Sequence, residues 1–269
     1  MNMKSFAVTL GVSILALAAS AASLNAASLE EIKKRGVIRV ATDLGVPPYA
    51  STDANMQPQG SDVDTAKKLA ADLGVKLEIV PVTGPNRVPF LLTDKADVVI
   101  SSFSITDERK KVINFSRPYG ALQLVVAAPA SVELEDTAGL KGKNIAVVRG
   151  NVQDTVITQT APEGTNVMRY DDDATVSAAV VSGQVDAFCT NAPLAMTLAE
   201  RNPDLKITPR FVAKVLPYAV GMRKQDEDLR TWVNGWVESG LADGSLGEIY
   251  EQWMKVKLPD LTEFAKVAD

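Results

Sequence analysis

The chain has 269 residues, of which 46% are hydrophobic and 23% are charged, and its formal net charge is -5. A chain of this length can bury a full core without disulfides, as one large domain or two small ones. It contains no histidine and only one cysteine, Cys189, which excludes Ser-His-Asp and Cys-His catalysis, histidine-based metal sites and an internal disulfide. No region is strongly basic, so we expect no nucleic-acid partner.

The first residues have the composition of an export signal. Lys4 is the only charge before Glu30, residues 6–22 are almost wholly apolar or small, and small residues then cluster in AASAASLNAAS. This is the order of a positive n-region, an apolar h-region and a small-residue cleavage zone. The apolar stretch falls short of the ~20 residues that span a bilayer comfortably. We expect residues 1–27 to be a signal peptide, cleaved within residues 21–27, and the mature protein to be periplasmic.

Strand and helix patterns alternate in the next part of the chain. GVIRVAT is a β-branched run, SDVDTAKKLAADLG carries apolar residues at helical spacing up to a stop at Gly74, KLEIVPV is a second strand, NRVPFLLTDK a short helix and ADVVISS a third strand. This order predicts a βαβαβ unit with parallel strands.

A second unit with the same rhythm starts near Leu140. Its strands are KNIAVVRG, NVMRY and VDAFCT, and its helices are NVQDTVITQ, DDDATVSAAVVSGQ and NAPLAMTLAERNP. We predict Asn151 as the N-cap of the first of these helices. Cys189 lies in an apolar run and is interpreted as a small buried hydrophobic residue. Two such units in tandem predict two lobes.

The segments that join the two units have strand character. ALQLVVAAP enters the second unit and AKVLPYAVGMRK leaves it, and the tail from Glu227 is helical with Leu229, Trp232, Val233 and Trp236 on one stripe. This apolar stripe needs a sheet to cover, and we place it on the first lobe. We therefore predict an α/β fold with two crossover strands and a cleft: lobe one is formed by residues 28–122 and 218–269, and lobe two by residues 123–217.

Hydrogen-bonding residues follow the predicted strands, where open parallel sheets bind ligands. The residues at these strand ends and at the start of the first lobe-two helix are Asp43, Tyr49, Ser101, Ser102, Ser104, Arg109, Arg149, Asn151, Val152, Gln153 and Asn191. They do not include a nucleophile with its base. The planar guanidinium of Arg109 suits a carboxylate, although spacing alone also fits a surface helix charge beside Glu108.

Several blocks closely resemble one family. SSFSITDERKKVINFSRPY, GVIRVATD, GSDVDTAKKLAADLG, LKGKNIAVVRGNVQDT, SGQVDAF and LADGSLGEIYEQW are similar, in this order, to blocks of the periplasmic amino-acid-binding proteins of ABC importers, solute-binding protein family 3. The resemblance implies the two-lobed periplasmic-binding-protein (type II) clamp. It also implies an amino acid or a related small carboxylate as ligand, an inner-membrane ABC permease as partner, a monomer, and neither cofactor nor metal.

The resemblance assigns roles to residues of this sequence. It implies that Arg109 grips the α-carboxylate of the ligand and that the remaining site positions are Asp43, Ser101, Ser102, Ser104, Val152 and Gln153. GPNRVPFLL resembles the segment through which binders of acidic amino acids reach a side-chain carboxylate with an arginine, here Arg87. The alternative for Arg87 is a solvent-facing charge at a helix start.

Three positions depart from the family pattern. Asn191 stands where the family places an aspartate on the α-ammonium of the ligand, Ser61 stands in place of a phenylalanine that packs on the ligand, and Val152 in place of a common threonine. An amide oxygen carries no charge, so ammonium binding should weaken unless Asp43 or another acid compensates. The pattern therefore predicts an intact carboxylate half of the site and altered amine and side-chain halves.

Three classes of function remain open after the resemblance. The first is a non-enzymatic receptor that closes on its ligand and delivers it to a permease. The alternative is an enzyme similar to the cyclohexadienyl or arogenate dehydratases of the same fold, with Asp43, Asp171, Asp172 or Asp173 as general acid, although residues 171–173 are more simply a helix N-terminus. The third is a chemotaxis receptor, which would share the binding step and differ in its partner.

Overall fold

The computed structural model describes residues 29–267, and the predicted signal peptide lies outside them. The helices in this range are α1 (Leu29–Arg35), α2 (Ser61–Leu73), α3 (Arg87–Leu92), α4 (Asp107–Lys110), α5 (Val152–Thr160), α6 (Asp173–Val181), α7 (Ala192–Arg201), α8 (Glu227–Ala242) and α9 (Ser245–Met254). The strands are β1 (Val37–Thr42), β2 (Ser51–Thr52), β3 (Pro58–Gln59), β4 (Lys76–Pro81), β5 (Val98–Val99), β6 (Ile113–Phe115), β7 (Gly120–Ala128), β8 (Asn144–Val148), β9 (Asn166–Tyr170), β10 (Ala187–Asn191), β11 (Thr208–Tyr218) and β12 (Gly221–Arg223).

The first sheet has the strand order β4-β1-β5-β12-β6. β1 is parallel to both β4 and β5, which confirms the predicted βαβαβ unit. Helix α2 ends at Leu73 as predicted, and Gly74 adopts the left-handed φ of 75° that ends a helix at little cost. β5 is shorter than the predicted strand ADVVISS, because the backbone leaves the sheet and turns at Ser102, whose φ is 40°.

The second sheet has the strand order β11-β7-β10-β8-β9. β8 is parallel to β9 and β10, whereas β7 runs antiparallel to β10 and β11. The second α/β unit is therefore present as predicted. Cys189 is 1% exposed in β10, and burial raises the pKa of its thiol to about 12, in agreement with its interpretation as a core residue.

The chain passes between the two sheets at two places. β6 belongs to the first sheet and β7 to the second, and the return lies between β11 and β12. The predicted single strand AKVLPYAVGMRK is therefore two strands in different sheets, broken after Tyr218, which pairs with Gly120 of β7. Two sheets with two crossings confirm the predicted two-lobed α/β fold, while the lobe divisions at 122/123 and 217/218 stay predictions.

The C-terminal helices return to the first lobe. Leu229, Val233 and Trp236 of α8 are buried, as the predicted stripe requires. The indole N–H of Trp236 donates to Asp72 of α2 at 2.7 Å, and that of Trp253 in α9 donates to Asp64 of α2 at 2.8 Å. Through these contacts α8 and α9 pack on α2, the helix that follows β1 and β3 in the first part of the chain. No helix within residues 29–267 is both long enough and apolar enough to cross a membrane.

Candidate functional site

A small polar cavity of about 30 Å³ lies between the two lobes. Lobe one lines it with Asp43 after β1, Arg87 of α3, and Ser102 and Ser104 after β5. The residues that line it from lobe two are Leu122, Leu124, Asn151, Val152, Gln153, Asp173 and Asn191. Its volume is about that of one water molecule in the liquid. The lobes therefore have to separate before an amino acid can enter.

Arg87 joins the two lobes across this cavity. The residue is 7% exposed, which excludes the alternative of a solvent-facing charge. Its Nε donates to the carbonyl of Gly84 at 2.9 Å, its Nη1 to the carbonyl of Ser101 at 3.0 Å, and its Nη2 to Oδ1 of Asn151 at 2.7 Å. Burial lowers the pKa of Arg87, and the charge of Asp43 acts in the opposite direction. Arg87 is thus a buried latch from lobe one to the start of α5 in lobe two.

Asn151 occupies the predicted N-cap position of α5, but its side chain makes no cap hydrogen bond. The side-chain oxygen accepts from Arg87 instead. A charge-assisted hydrogen bond is stronger than a neutral cap, so the contact between the lobes determines the orientation of the amide. The prediction for Asn151 is correct for the backbone and wrong for the side chain.

Asp43 and Ser101 are held by the backbone of lobe one. The carboxylate of Asp43 accepts from the backbone N–H of Gly45 at 3.1 Å and from that of Gly84. Burial raises the pKa of Asp43, and the charge of Arg87 opposes this shift. The hydroxyl of Ser101 accepts a hydrogen bond from the backbone N–H of Asp43, and the carbonyl of Ser101 accepts one from the guanidinium of Arg87. Ser101 does not line the small cavity.

Ser102 connects the cavity to a buried acid behind it. Its backbone N–H donates to the carboxylate of Asp62 in α2, which is 2% exposed. Burial raises the pKa of Asp62 to about 7. The left-handed φ of 40° at Ser102 is uncommon for a residue other than glycine, asparagine or aspartate. The structure thus orients Ser102 through a buried carboxyl that sequence reasoning did not include in the site.

Arg109 faces a second, larger cavity of about 390 Å³. Its Nη1 donates to the carbonyl of Ser104 at 2.8 Å, and its guanidinium lies 4.4 Å from the ring centroid of Phe103. Burial, followed by the charge of Arg87, lowers the pKa of Arg109 well below its ordinary value. Asn151 and Val152 line both cavities, so the two are neighbours. Arg109 is therefore a partly buried cation at the cleft, not a fully solvated helix charge.

The predicted site residues of lobe two fall into two groups. Val152, Gln153 and Asn191 line the small cavity. Arg149 lies outside both cavities: its side chain is 61% exposed and lies 3.6 Å from Asp171.

Tyr49, which was predicted from lobe one, also lies outside both cavities. Its ring, 1% exposed, meets that of Tyr218 edge-on at 6.1 Å. The ligand-contact roles of Tyr49 and Arg149 stay predictions.

Asp173 lines the small cavity and was not predicted as a binding residue. It lies in the first turn of α6, is 6% exposed, and has a pKa that burial and then the charge of Asp43 raise to about 7. Its neighbour Asp172 accepts the backbone N–H of Thr175 at 2.7 Å and caps α6. The consecutive acids 171–173 fit a helix start equally well, so the sequence did not show that only the third faces the cleft.

Gly84→Ala should weaken closure of the cleft by about 1–3 kcal/mol, the usual cost of inserting a methyl group into a packed region. A Cβ at this position would lie 2.3 Å from Nδ2 of Asn151, so Asn151 would have to leave Arg87. Small-angle scattering should show a larger radius of gyration, and amino-acid affinity should fall. Gly235→Ala on the open face of α8 is the control, because a Cβ there meets nothing within 4 Å. Unchanged scattering and affinity in Gly84→Ala would contradict the latch.

The two α/β lobes are joined by two crossings and meet over a cleft lined with charged and hydroxyl side chains. This architecture defines a type II solute-binding clamp. The chain matches the bacterial extracellular solute-binding proteins, family 3, over residues 38–256. It belongs to this family.

Similar proteins include both receptors and an enzyme. The chain is 30% identical over 228 residues to the L-cystine-binding protein of Escherichia coli strain K12, covering 84% of this chain and 85% of the relative. It is 28% identical over 255 residues to the cyclohexadienyl dehydratase of Pseudomonas aeruginosa, covering 91% and 93%. Among solved structures, the solute receptor for L-cysteine of Neisseria gonorrhoeae superposes with a TM-score of 0.81 at 30% identity, covering 87% of this chain and 100% of that chain.

Proposed function

We propose that this protein is a periplasmic receptor that closes on an amino acid or a related small carboxylate and delivers it to an inner-membrane ABC permease. The observation that carries this proposal is the arrangement of charge in the cleft. Arg87 and Arg109 lie on lobe one and the carboxyl of Asp173 on lobe two, so a ligand with both charges attracts the two lobes to each other. The relatives named for L-cystine and L-cysteine support the ligand class.

The ligand is proposed to extend over both cavities. The small cavity alone is too small for an amino acid, whereas the neighbouring cavity of about 390 Å³ lies within the usual range of ligand pockets. Arg109 would hold the carboxylate with its planar donors, and the ligand would pass Asn151 and Val152 toward the small cavity. The predicted roles of Ser102, Ser104 and Gln153 are to complete this binding site with hydrogen bonds.

Amino acids should raise the thermal stability of the mature protein, since a ligand at 100 times its Kd adds roughly 2.7 kcal/mol to a state that alone binds it. The measurement is a thermal-shift screen against the standard amino acids, L-cystine, opines and small dicarboxylates, followed by calorimetry. D-glucose, which has neither charge, is the control ligand. Stabilisation by sugars but by no amino acid or carboxylate would overturn the proposal.

The alternative function is a dehydratase. We propose instead that the protein binds its ligand without converting it. Of the four candidate acids, Asp43 and Asp173 line the cavity, while the side chain of Asp171 is 89% exposed. The pKa of Asp173 is about 7, which suits a general acid, and this observation makes the enzyme the second candidate function. Incubation with prephenate and with arogenate decides between the classes. We expect neither phenylpyruvate nor phenylalanine to form, and multiple turnovers would establish the enzyme instead.

A further inference from the structure

Asn191 is poorly placed to bind an ammonium group. Its side-chain Oδ1 accepts the backbone N–H of Leu194 at 3.0 Å and so caps helix α7. This cap uses one of the two lone pairs of the neutral amide oxygen. The amide NH₂ group is a donor, and an ammonium group is also a donor, so the two cannot form a hydrogen bond with each other. Asn191 can therefore neither neutralise a cation nor offer it a full set of acceptors.

Asp173 presents the missing charge to the same cavity. Its carboxyl is buried, and among residues 29–267 it forms no hydrogen bond or salt bridge. A buried ionised carboxylate without a partner is costly, so it takes up a proton or a cation. Asp43 differs from it in this respect, because the carboxylate of Asp43 already accepts the backbone N–H groups of Gly45 and Gly84.

We propose that Asp173, at the start of α6, is the acceptor for the cationic amine of the ligand. It would take the role of the aspartate that the family places at the end of β10, where this chain has Asn191. This inference rests on the proposed receptor function and specifies the ligand class: small carboxylates that also carry a primary or secondary ammonium. The position of Asp173 on lobe two, opposite the arginines of lobe one, also couples recognition of the amine to closure of the clamp.

Binding should be linked to proton release. The groups whose charges act on Asp173 are Asp43, Arg87 and Asp172, and the pKa of Asp173 is about 7 in their presence. An ammonium beside the carboxyl favours its ionised form, so the protonated fraction is lost on binding. Affinity for an amino acid should therefore rise from pH 5 to pH 8. Asp62 titrates in the same range behind Ser102, so the linkage has to be measured as the difference between wild type and an Asp173 variant.

The test compares each amino acid with the same acid lacking its amine. The probes are L-cysteine with 3-mercaptopropionate and L-glutamine with glutaramate, and any further amino acid that stabilises the protein is paired in the same way. In Asp173→Asn, affinity for the amino acids should fall about 30-fold or more, the usual effect of removing one partner of a buried charge pair. Affinity for the des-amino acids should stay the same or increase.

Two further variants separate binding from folding. Asp171→Asn makes the same charge change on an exposed side chain, and its affinities should equal those of wild type. The double variant Asp173→Asn/Asn191→Asp returns a carboxylate to the end of β10 and should regain part of the preference for the amino acid. Calorimetry in buffers of different ionisation enthalpy should show proton release in wild type and less of it in Asp173→Asn.

Two contrary results have different meanings. An Asp173→Asn variant that keeps the wild-type preference for amino acids over des-amino acids would overturn the role of Asp173 and leave the receptor intact. A wild type that binds des-amino carboxylates but no amino acid would overturn this inference and leave the receptor intact. A wild type that binds neither amino acids nor carboxylates would overturn the proposed function, and this inference with it.

Discussion

Arg87→Met should be among the most damaging single changes in the cleft, with a loss of about 3–5 kcal/mol of folding stability at pH 8, as for other removals of one partner of buried charges. The charge of Arg87 lowers the pKa values of Asp43, Asp62 and Asp173, all of which are buried. Without the guanidinium these carboxyls lose their nearby cation, and the latch to Asn151 is lost as well. Closure and amino-acid binding should both fail.

The destabilisation of Arg87→Met should be smaller at pH 5. Asp62 and Asp173 have folded-state pKa values of about 7, above the ordinary value of 3.8, and removal of Arg87 shifts them further upward. A folded state that binds more protons than the unfolded state loses stability as pH rises. In Arg87→Met this loss begins near pH 4, where the two carboxyls ionise in the unfolded chain. It continues until the pH exceeds their folded-state pKa values. Urea unfolding at pH 5 and pH 8 measures this difference.

Arg117→Met is the control for this experiment, because its guanidinium is 58% exposed in a surface pair with Glu238. Pairs of this kind contribute little, so the control should unfold like wild type at both pH values. Equal stability of Arg87→Met and Arg117→Met at pH 8 would contradict the role given to Arg87.

Arg109→Ala should weaken carboxylate binding on the order of 2–5 kcal/mol, because it removes one side of a charge-assisted pair inside a closed cleft. The pKa of Arg109 is already lowered by burial and by the charge of Arg87, so an anion at this position relieves an unfavourable environment. Arg109→Lys should also fail, since an ammonium replaces neither the planar donors nor the stacking on Phe103.

Calorimetry with the best amino acid of the screen measures the effect of Arg109→Ala. The control is Lys111→Ala, an exposed cation two residues away that lines neither cavity. Near-normal affinity in Arg109→Ala would show that the carboxylate binds elsewhere. A loss of affinity in Arg109→Ala that Lys restores would show that charge, and not bidentate geometry, is what the site requires.

The two arginine variants are distinguishable from each other. Arg87 makes hydrogen bonds within lobe one and to lobe two, so its loss should affect stability, closure and binding together. Within residues 29–267 the guanidinium of Arg109 makes one hydrogen bond, to the carbonyl of Ser104, so its loss should affect binding far more than folding. A combined measurement of urea unfolding and affinity therefore separates the latch from the carboxylate anchor.

Local patterns in the sequence determined the elements of this protein and their order. The 3.6-residue spacing of α2 and its stop at Gly74, the β-branched run of β1, and the apolar stripe of α8 all have the predicted form. These features depend on neighbours within a few residues, and each element buries the face that its own pattern specifies. The blocks that resemble the family, and their order along the chain, then indicated the two-lobed clamp and the carboxylate-binding role of Arg109.

Only the tertiary structure decided which polar groups face each other across the cleft. The amide of Asn151 leaves its helix to bind Arg87, and Asp173 faces the cavity while Asp171 remains in solvent. Such choices depend on contacts between residues that are 64 positions apart, as Arg87 and Asn151 are, and on desolvation when two lobes meet. The spacing of residues in the sequence shows neither these distant contacts nor the desolvation. The same acidic residue at a helix start can be buried in one fold and exposed in another.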